Sequence, residues 1–520
     1  MLRLPNSVRC SLRSLAGEHS RTLHAAAFER RDIRSTFIRY EVRNTFKQRA
    51  IVRRYGFCAN ERTSERAGNS IARRAPVVAN CILASLLLLA PSLPARAQVV
   101  TPISPPPESP WYSFDPFDPF PFTWRAAREG EALPPEDTPV KTRQWPGYES
   151  VGVRFGPWMF DPSATAGAQY DSNVFASPTD PQGDLAWIVQ PSLGVTSLWE
   201  RHALDIQGSV RSKTFQENSG LNQTDANLRV RGRVDLWRDA ALLTNFRVAR
   251  LHEGVGSLTS PAGAVEPTPY DYTSADVAYW QRIGRFAGSV GLRSDYYNYG
   301  TTRAADGSII NQDSRDGRID VAHGRLDYAL TGKVGVFTAF EANRRNLRGS
   351  PSGSLSSDGY RSLSGFNFEL GSLIHGEVGA GYASQRFEGP RIGTIAGPAY
   401  RAAFTWSPTR MLDLHLKAEQ IVTEAGDTAV GGIRADAIQL GADYELRRNL
   451  VLSVAGTYER DKFFGQSRVD DVFSTLTALK YKINRHSEVT LQHQYFQRDS
   501  SIPTSSYDKH RIELNVTARY

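Results

Sequence analysis

The feature that most constrains the fold of this chain is a period-two alternation of apolar and polar residues, repeated from residue 157 to residue 520. Successive side chains of a β-strand point to opposite faces, so each alternating segment predicts a strand with one apolar and one polar face. Clear examples are residues 204–211, 228–236, 412–419 and 438–446. A whole chain of such strands is typical of a membrane β-barrel, whose apolar face meets lipid and whose polar face lines a lumen.

The connections between these segments alternate in length. Short polar turns are predicted near Trp199–His202, Trp237–Ala240, Gln281–Gly284, Leu330–Lys333, Leu373–Gly376, Ser407–Arg410, Arg447–Asn449 and Ile483–His486. Longer Gly-, Ser-, Asp- and Asn-rich loops lie between them, such as Asp171–Asp184, His252–Tyr270, Tyr299–Asp313 and Asn346–Gly359. Eight turns and nine loops give 18 strands. We therefore predict an all-β fold, a transmembrane antiparallel up-and-down β-barrel of about 18 strands (16–18), with both termini in the periplasm.

Two local features refine this prediction. Trp199, Trp237, Trp280 and Trp406 stand near the short turns, where membrane barrels carry aromatic girdles at the lipid interface. At Ala322–Gly324 the alternation loses its phase, which predicts a β-bulge and leaves an uncertainty of about two strands in the count.

The N-terminal part of the chain has the features of a targeting sequence. A basic start precedes an apolar run at residues 77–93, and Ala95 and Ala97 then form a small-x-small site. This order predicts a secretory signal peptide over residues 76–97, with cleavage before Gln98. A membrane anchor is the alternative, but the run is short and interrupted by proline.

Residues 1–75 form an extra basic segment that we do not expect in the mature protein. Our preferred interpretation is that translation starts at a non-methionine codon nearer the signal. An extended signal is the second interpretation, and a transit peptide is the third. Residues 1–97 carry a net charge of +12 within a chain of +8, so their removal would leave about −4, and the argument for nucleic-acid binding is lost. The three cysteines, Cys10, Cys58 and Cys81, also lie there, so a mature chain would have neither disulfides nor thiolate metal sites.

Residues 98–156 are predicted to be a Pro-rich periplasmic linker, with three Phe residues in a repeated Phe-Asp-Pro pattern at residues 114–120. Such a composition favours extended polyproline structure over a packed core. A simple tether is one interpretation. The other is a segment that docks a partner or folds into the mouth of the barrel.

The last strand of the chain ends on an aromatic residue. Its apolar face consists of Ile512, Leu514, Val516, Ala518 and Tyr520. This strand resembles the C-terminal strand of bacterial outer-membrane β-barrels, which the barrel-assembly machinery recognises. The resemblance implies that these five residues form an assembly signal.

The first predicted hairpin carries a more specific pattern. Its residues are Tyr170-Asp171-Ser172-Asn173-Val174-Phe175, Val189-Gln190-Pro191 and Ser197-Leu198-Trp199-Glu200-Arg201-His202. From about Gly156 to Tyr520 the chain resembles the putative β-barrel porin 2 family, outer-membrane proteins often found with exopolysaccharide gene clusters. The resemblance implies an outer-membrane barrel with a role in polysaccharide export or surface assembly, and it supplies no catalytic residue.

Five arginines are predicted to share one arc of the lumen wall on three neighbouring strands: Arg211, Arg229, Arg231, Arg233 and Arg247. We call them the basic arc. Such a wall would attract anionic solutes or acidic sugars. Two aspartates, Asp205 and Asp235, face the same way, and cross-strand Arg–Asp pairs are also ordinary lumen filling. The sequence leaves both interpretations open.

No catalytic, cofactor-binding or metal site is predicted. The histidines after residue 97 are scattered, without metal-ligand spacing: His202, His252, His323, His375, His415, His486, His493 and His510. The run Asp171-Ser172-Asn173 could hold calcium at the base of a loop, although an Asx turn is the commoner role of such residues.

Together these observations predict a non-enzymatic outer-membrane β-barrel of a Gram-negative bacterium, with a porin-like channel that passes or exports (exo)polysaccharide. A structural or adhesive surface barrel with a plugged lumen is the alternative, and an outer-membrane hydrolase is the third possibility. The expected partners are outer-membrane lipid, the barrel-assembly machinery, and polysaccharide or another anionic solute. Nucleic acid is not expected as a partner.

Overall fold

The computed structural model describes residues 139–141, 143, 145, 147–349, 354–370, 374–388, 393–424 and 431–520. Several predictions fall outside the described residues: the extra basic segment, the signal peptide with its cleavage site at Ala95, Ala97 and Gln98, the cysteines, and most of the Pro-rich linker. No helix in the described part is long and apolar enough to cross a membrane.

The described residues form strands and a few single-turn helices. The strands are β1 (Val153–Phe155), β2 (Trp158–Asp171), β3 (Asp184–Ser197), β4 (Ala203–Phe215), β5 (Gln223–Trp237), β6 (Ala240–Glu253), β7 (Thr268–Ile283), β8 (Phe286–Tyr299), β9 (Thr302–Arg303), β10 (Ile309–Ile310), β11 (Gly317–Ala329), β12 (Val334–Leu347), β13 (Ser357–Leu370), β14 (Ile374–Phe387), β15 (Thr394–Thr409), β16 (Leu412–Glu424), β17 (Gly432–Arg447), β18 (Leu450–Phe464), β19 (Val469–Lys482), β20 (Ser487–Ser500) and β21 (Tyr507–Arg519). The 3₁₀ helices are Ser219–Leu221, Asp313–Arg315 and Pro503–Ser505.

Strands β2–β8 and β11–β21 form a closed antiparallel barrel of 18 strands, as predicted. Each strand pairs with the next along the chain, and β8 pairs with β11 across the small β9–β10 hairpin. The barrel closes where β21 pairs with β2, from Ser163 opposite Arg519 to Asp171 opposite Arg511. Closure gives the backbone of every barrel strand hydrogen-bonding partners on both sides, which a sheet in hydrocarbon requires.

The two ends of the barrel differ. The turn end carries the connections β3–β4, β5–β6, β7–β8, β11–β12, β13–β14, β15–β16, β17–β18 and β19–β20, and the loop end carries the other nine. The predicted turns all belong to the turn end, although some strands run further than expected, such as β15 to Thr409. One loop-end connection, residues 465–468, is shorter than the turn at residues 198–202.

The predicted division into an apolar outer face and a more polar inner face is confirmed. Leu440 on β17 points outward and is 57% exposed to the surroundings of the barrel. On the same strand Asp443 and Glu445 point inward and are almost fully buried. The inner wall is not uniformly polar, however, because an apolar cluster lies within it: Phe337, Ala339, Leu363, Ala383 and Ala399.

Two local predictions are wrong. The register runs without interruption through Ala322–Gly324 towards both β8 and β12, so there is no bulge. His323 simply faces the lumen, where its Nε2 lies 3.2 Å from Asp276 Oδ1. The register shifts that do occur lie at the turn end, in the pairs β5–β6, β15–β16 and β17–β18, because the strands are bent into turns there.

The second correction concerns the aromatic girdle. Trp199, Trp237 and Trp406 face outward near the turn end, as expected. Trp280 instead faces the lumen and packs with Ala241, Leu243 and Ala278. The strict alternation of β7 places its neighbour Tyr279 outward, against Trp237, so Trp280 must point inward.

Candidate functional site

The basic arc lies on the lumen wall formed by β4, β5 and β6. Arg231 Nη2 lies 2.6 Å from Asp205 Oδ1, and Arg233 Nε lies 2.7 Å from Asp235 Oδ1. Arg211 Nη2 lies 3.1 Å from Glu513 Oε1 on β21, across the closure of the barrel. These three arginines are therefore paired with carboxylates of the wall itself.

The other two arginines of the arc contact neutral amides. Arg229 Nε donates to Asn245 Oδ1 at 2.9 Å, and Arg247 Nε donates to Asn227 Oδ1 at 2.7 Å. The Arg247 guanidinium also lies 5.5 Å from the centre of the Tyr272 ring. An amide fixes the direction of a guanidinium but does not neutralise it, so these two contacts do not themselves compensate the positive charge.

Beside the arc lies a cavity of about 430 Å³, against the wall formed by β2–β6 and β19–β21. Amide side chains are prominent in its lining: Gln169, Gln190, Gln223, Asn227, Gln492, Gln494 and Asn515. Ion pairs of arginine or lysine also line it, namely Arg211–Glu513 at 3.1 Å, Arg511–Asp171 at 2.8 Å and Lys480–Glu488 at 3.2 Å. Side-chain amides present both donors and acceptors, so this wall can hydrogen-bond hydroxyl groups in either sense.

The connection between β6 and β7, residues 254–267, folds into the lumen, and we call it the inserted loop. The carbonyl oxygen of Gly256 accepts hydrogen bonds from Arg498 Nη1 and from the Tyr507 hydroxyl, both at 2.8 Å. Leu258 packs against Ile433 on β17 and Phe463 on β18. Those strands lie on the opposite side of the barrel from β6, so the inserted loop reaches across the lumen at the loop end.

Gly256 is essential to the path of the inserted loop. Its backbone has a φ of +77°, which side chains other than glycine rarely tolerate. A Cβ atom at this position would also lie only 2.3 Å from the Cβ of Ala176 and 3.2 Å from the Tyr507 hydroxyl oxygen. The inserted loop therefore passes too close to the β2–β3 loop and to β21 to accommodate a side chain at this position.

A buried ion pair fixes the base of the inserted loop. Arg315 Nη1 and Nη2 donate to the two carboxylate oxygens of Glu253 at 2.9 and 3.0 Å, and the Thr259 hydroxyl also donates to Glu253. The guanidinium lies 3.9 Å from the centre of the Tyr299 ring. A bidentate pair of this kind holds its geometry strongly, so the inserted loop is anchored where it leaves the wall.

Near the turn end, three buried carboxylates on β16 and β17 form an acidic cluster: Asp413, Asp443 and Glu445. Asp413 lies directly opposite Asp443 in the strand register. Ser407 Oγ donates to Asp413 at 2.6 Å and Ser453 Oγ to Asp443 at 2.6 Å. Like charges at facing positions repel, so the cluster needs cations close by.

At the calcium candidate the structure favours the turn. The Asn173 amide N–H donates to Asp171 Oδ1 at 3.0 Å, which is an Asx turn, and Arg511 occupies the other oxygen of Asp171. Asn173 Nδ2 donates to the carbonyl oxygens of Ser177 and Asp508 at 2.8 and 3.1 Å. These contacts tie the loop between β2 and β3 to β21.

The sequence identified which residues face the lumen but missed the inserted loop and the acidic cluster. Gly254 and Gly256 around the apolar Val255, followed by Leu258, are a signal that could have indicated a loop packed inside. No comparable signal marks the cluster, because the juxtaposition of Asp413 and Asp443 depends on register. In the described part, no three His, Cys, Asp or Glu side chains are grouped so that they could hold a metal ion.

A closed 18-strand barrel with a partly polar lumen and one inserted loop defines a porin-like outer-membrane β-barrel. The family model described as putative β-barrel porin 2 matches residues 145–520, and the chain belongs to this family. The comparison with curated proteins found no match.

Among solved structures, the chain is similar to OccK5 (OpdH) of Pseudomonas aeruginosa, with 13% identity, 69% of this chain and 98% of that chain covered, and a TM-score of 0.38. It is similar to OpdK of the same organism, solved with vanillate, with 11% identity, coverages of 69% and 99% and a TM-score of 0.39. The siderophore receptor PirA of Acinetobacter baumannii gives 8% identity, coverages of 69% and 80% and a TM-score of 0.37.

Proposed function

We propose that this protein is a channel for hydrophilic solutes, with saccharides, including acidic ones, as the solute class. The observation that carries the proposal is the amide-rich cavity beside the basic arc. Amide side chains suit the many hydroxyl groups of a sugar, because each can donate and accept. Arg247, whose Nε donates to the neutral amide of Asn227, adds positive charge for carboxylated or sulfated sugars.

The polysaccharide role rests on this chemistry together with the family. A lumen wall of amides and compensated charges offers weak, repeated contacts, and conduction needs binding that is weak enough to let a solute leave. The inserted loop narrows the lumen at the loop end, so an extended chain of sugars would pass more readily than a bulky globular solute. Such a diffusion channel passes solutes in either direction, so the same structure serves export and uptake.

We further propose that the turn end faces the periplasm, so that both chain termini lie there. Outer-membrane barrels have short periplasmic turns and longer outer loops. The outward apolar face would contact outer-membrane lipid, and the face formed by Ile512, Leu514, Val516, Ala518 and Tyr520 would be recognised by the barrel-assembly machinery. Deletion of Tyr520 should then lower the amount of heat-modifiable barrel in the outer membrane, and normal insertion of the shortened chain would contradict this.

The channel proposal is tested by planar-bilayer conductance and reversal potentials of the purified protein. Replacement of both Arg229 and Arg247 by Gln should shift the permeability towards cations and weaken block of the current by acidic oligosaccharides. Arg250→Gln is the matched control, because Arg250 lies on β6 beside Arg247 but faces outward, where it pairs with Asp271 at 3.5 Å.

The outcome also separates the alternatives. If the correctly folded protein never conducts, the channel proposal fails, and a structural or adhesive barrel with a plugged lumen becomes the preferred function. Equal selectivity in the double variant and the wild type would remove acidic sugars from the proposal. Hydrolysis of lipid or peptide by the purified protein would favour an outer-membrane enzyme instead.

A further inference from the structure

The chain that precedes the barrel enters the lumen at the turn end. We call this part the strap and define it by four residues: Val140, Lys141, Arg143 and Trp145. Lys141 Nζ lies 2.7 Å from Asp443 Oδ1, and Arg143 Nη1 lies 3.4 Å from Glu445 Oε2. The backbone N–H of Val140 donates to the carboxylate of Asp413. Every carboxylate of the acidic cluster therefore receives a contact from the strap.

The strap lies inside the barrel and not on its rim. The three contacts just named are with side chains on the inner faces of β16 and β17, and Val140, Arg143 and Trp145 are buried. Asp443 precedes the last residue of β17, Arg447, by four positions, which corresponds to about 13 Å along a strand. The strap thus occupies lumen volume well above the turns.

Residues at the rim of the turn end contact the strap and the chain that follows it. The guanidinium of Arg448, in the turn after β17, lies 4.6 Å from the centre of the Trp145 ring. Arg519 Nη2 donates to the carbonyl oxygen of Tyr148 at 3.0 Å, and the N–H of Gly152 donates to the carbonyl oxygen of Tyr520 at 3.0 Å. The chain therefore runs from the lumen, past the mouth and into the first barrel strand.

The contacts of the strap with the acidic cluster are electrostatic, while the apolar side chains of Val140 and Trp145 are buried beside them. The residues of the strap do not belong to any strand, and the contacts with the acidic cluster involve two cationic side chains and one backbone N–H. Burial lowers the pKa of the Arg143 guanidinium, while the carboxylates of Glu445 and Asp413 oppose this effect. A segment held in this way can leave without breaking a strand pair of the barrel.

We propose that the strap is a removable closure of the turn end, docked on the acidic cluster by Lys141 and Arg143. This inference rests on the channel function proposed above. While the strap is docked, it narrows the lumen and neutralises the cluster. After it leaves, Asp413, Asp443 and Glu445 face the aqueous lumen, and a patch of carboxylates in a pore favours cations. Undocking thus changes both the width and the charge preference of the channel.

The first experiment measures docking without any current. A carbodiimide joins an amine and a carboxylate that form an ion pair, and mass spectrometry identifies the amide. Lys141 should couple to Asp443, and Arg143→Glu should lower this yield several-fold. Lys480 and Glu488, an ion pair within the wall at 3.2 Å, are the internal control and should couple equally in all variants.

The second experiment measures closure in planar bilayers. Arg143→Glu should roughly double the conductance and shift the reversal potential towards cation preference. Arg143→Gln should give a smaller change in the same direction, and the combination of Arg143→Glu with Glu445→Arg should restore the wild-type values. Arg238→Glu is the matched control, because Arg238 lies in a turn at the same end and is 97% exposed. Heat-modifiable migration verifies that each variant is folded.

These outcomes separate the strap from the channel. Absence of the Lys141–Asp443 amide, with the Lys480–Glu488 amide present, would overturn docking. A normal amide with equal conductance and selectivity in the wild type and in Arg143→Glu would overturn closure and leave the channel proposal standing. A full set of folded variants that never conduct would overturn the channel function and with it the role of the strap.

Discussion

The inserted loop and the strap narrow the same lumen from opposite ends, but they are held by different forces. The inserted loop is anchored by the buried Arg315–Glu253 ion pair and by the apolar contact of Leu258 with the far wall. The strap is attached to the acidic cluster by one buried ion pair, Arg143–Glu445, and by one partly exposed pair, Lys141–Asp443, in which the Lys141 side chain is 31% exposed. Buried apolar contacts and paired charges are insensitive to salt, whereas partly exposed ion pairs are screened. The attachment of the strap is therefore partly sensitive to salt, through Lys141, whereas the anchoring of the inserted loop is not.

The largest effect is expected at the base of the inserted loop. Arg315→Ala leaves Glu253 buried without its cationic partner, and it should lower the free energy of unfolding by about 3–5 kcal/mol. Urea titration, followed by the loss of heat-modifiable migration, measures this. Arg303→Ala is the control, since Arg303 on β9 forms a partly exposed pair with Glu266 of the inserted loop at 3.8 Å. A loss of less than about 1 kcal/mol for Arg315→Ala, the usual range of surface pairs, would show that the loop is not held by this pair.

The tip of the inserted loop should contribute less. Leu258→Ala removes a partly buried contact with Ile433 and Phe463, and the expected loss of stability is about 1–2 kcal/mol. The loop should then move away from the far wall, so the conductance should rise while the charge preference stays constant. Ile309→Ala, on an exposed side chain of the β9–β10 hairpin, should change neither. A shift in selectivity with Leu258→Ala would contradict the assignment of charge preference to the basic arc and the acidic cluster.

A smaller effect on stability is expected at the strap. Lys141→Ala should change the free energy of unfolding by only about 0–1 kcal/mol, because the Lys141–Asp443 pair is partly exposed. Asp443 also keeps His415 Nε2 at 2.7 Å and Ser453 Oγ at 2.6 Å. Conductance should nevertheless rise. Lys333→Ala, in a turn at the same end, is the control, and a large loss of stability at Lys141 would make the strap part of the core after all.

The smallest change needs no mutation. Raising the salt from 0.1 M to 1 M shortens the Debye length from about 10 Å to about 3 Å, which weakens partly exposed pairs. Peptides that contain the strap should then exchange amide hydrogens faster in hydrogen–deuterium exchange, and peptides from the inserted loop should not. Equal acceleration at both ends would remove the distinction between the two closures.

Much of the barrel could be predicted because a strand encodes its faces in period two. The positions of Asp413, Asp443 and Leu440 relative to lipid and lumen follow from their place in the alternation. The errors have local causes. The prediction that Trp280 belongs to the outward aromatic girdle depends on its nearness to a turn, whereas its phase along β7 directs it into the lumen. At Ala322–Gly324, small residues on the outer face were mistaken for a loss of phase.

The candidate site was predictable only in part. The five arginines of the basic arc face the lumen as the pattern indicated, but their partners depend on register and closure. Arg211 reaches Glu513 only because β21 closes the barrel beside β2. The contacts of Arg231 with Asp205 and of Arg233 with Asp235 agree with the interpretation that these pairs simply fill the lumen. The contacts of Arg229 and Arg247 with amides are compatible with the other interpretation, in which the basic arc attracts anionic solutes.

The sequence by itself determined the class of fold, the number of strands and which side chains face inward, because these depend on local periodicity and on turn chemistry. Only the tertiary structure decided what fills the lumen. Leu258 meets Ile433, and Lys141 meets Asp443, across separations of more than 170 residues, and no local pattern encodes such contacts. They follow from closing a sheet into a cylinder, which brings distant strands, a loop and the preceding chain into one confined space.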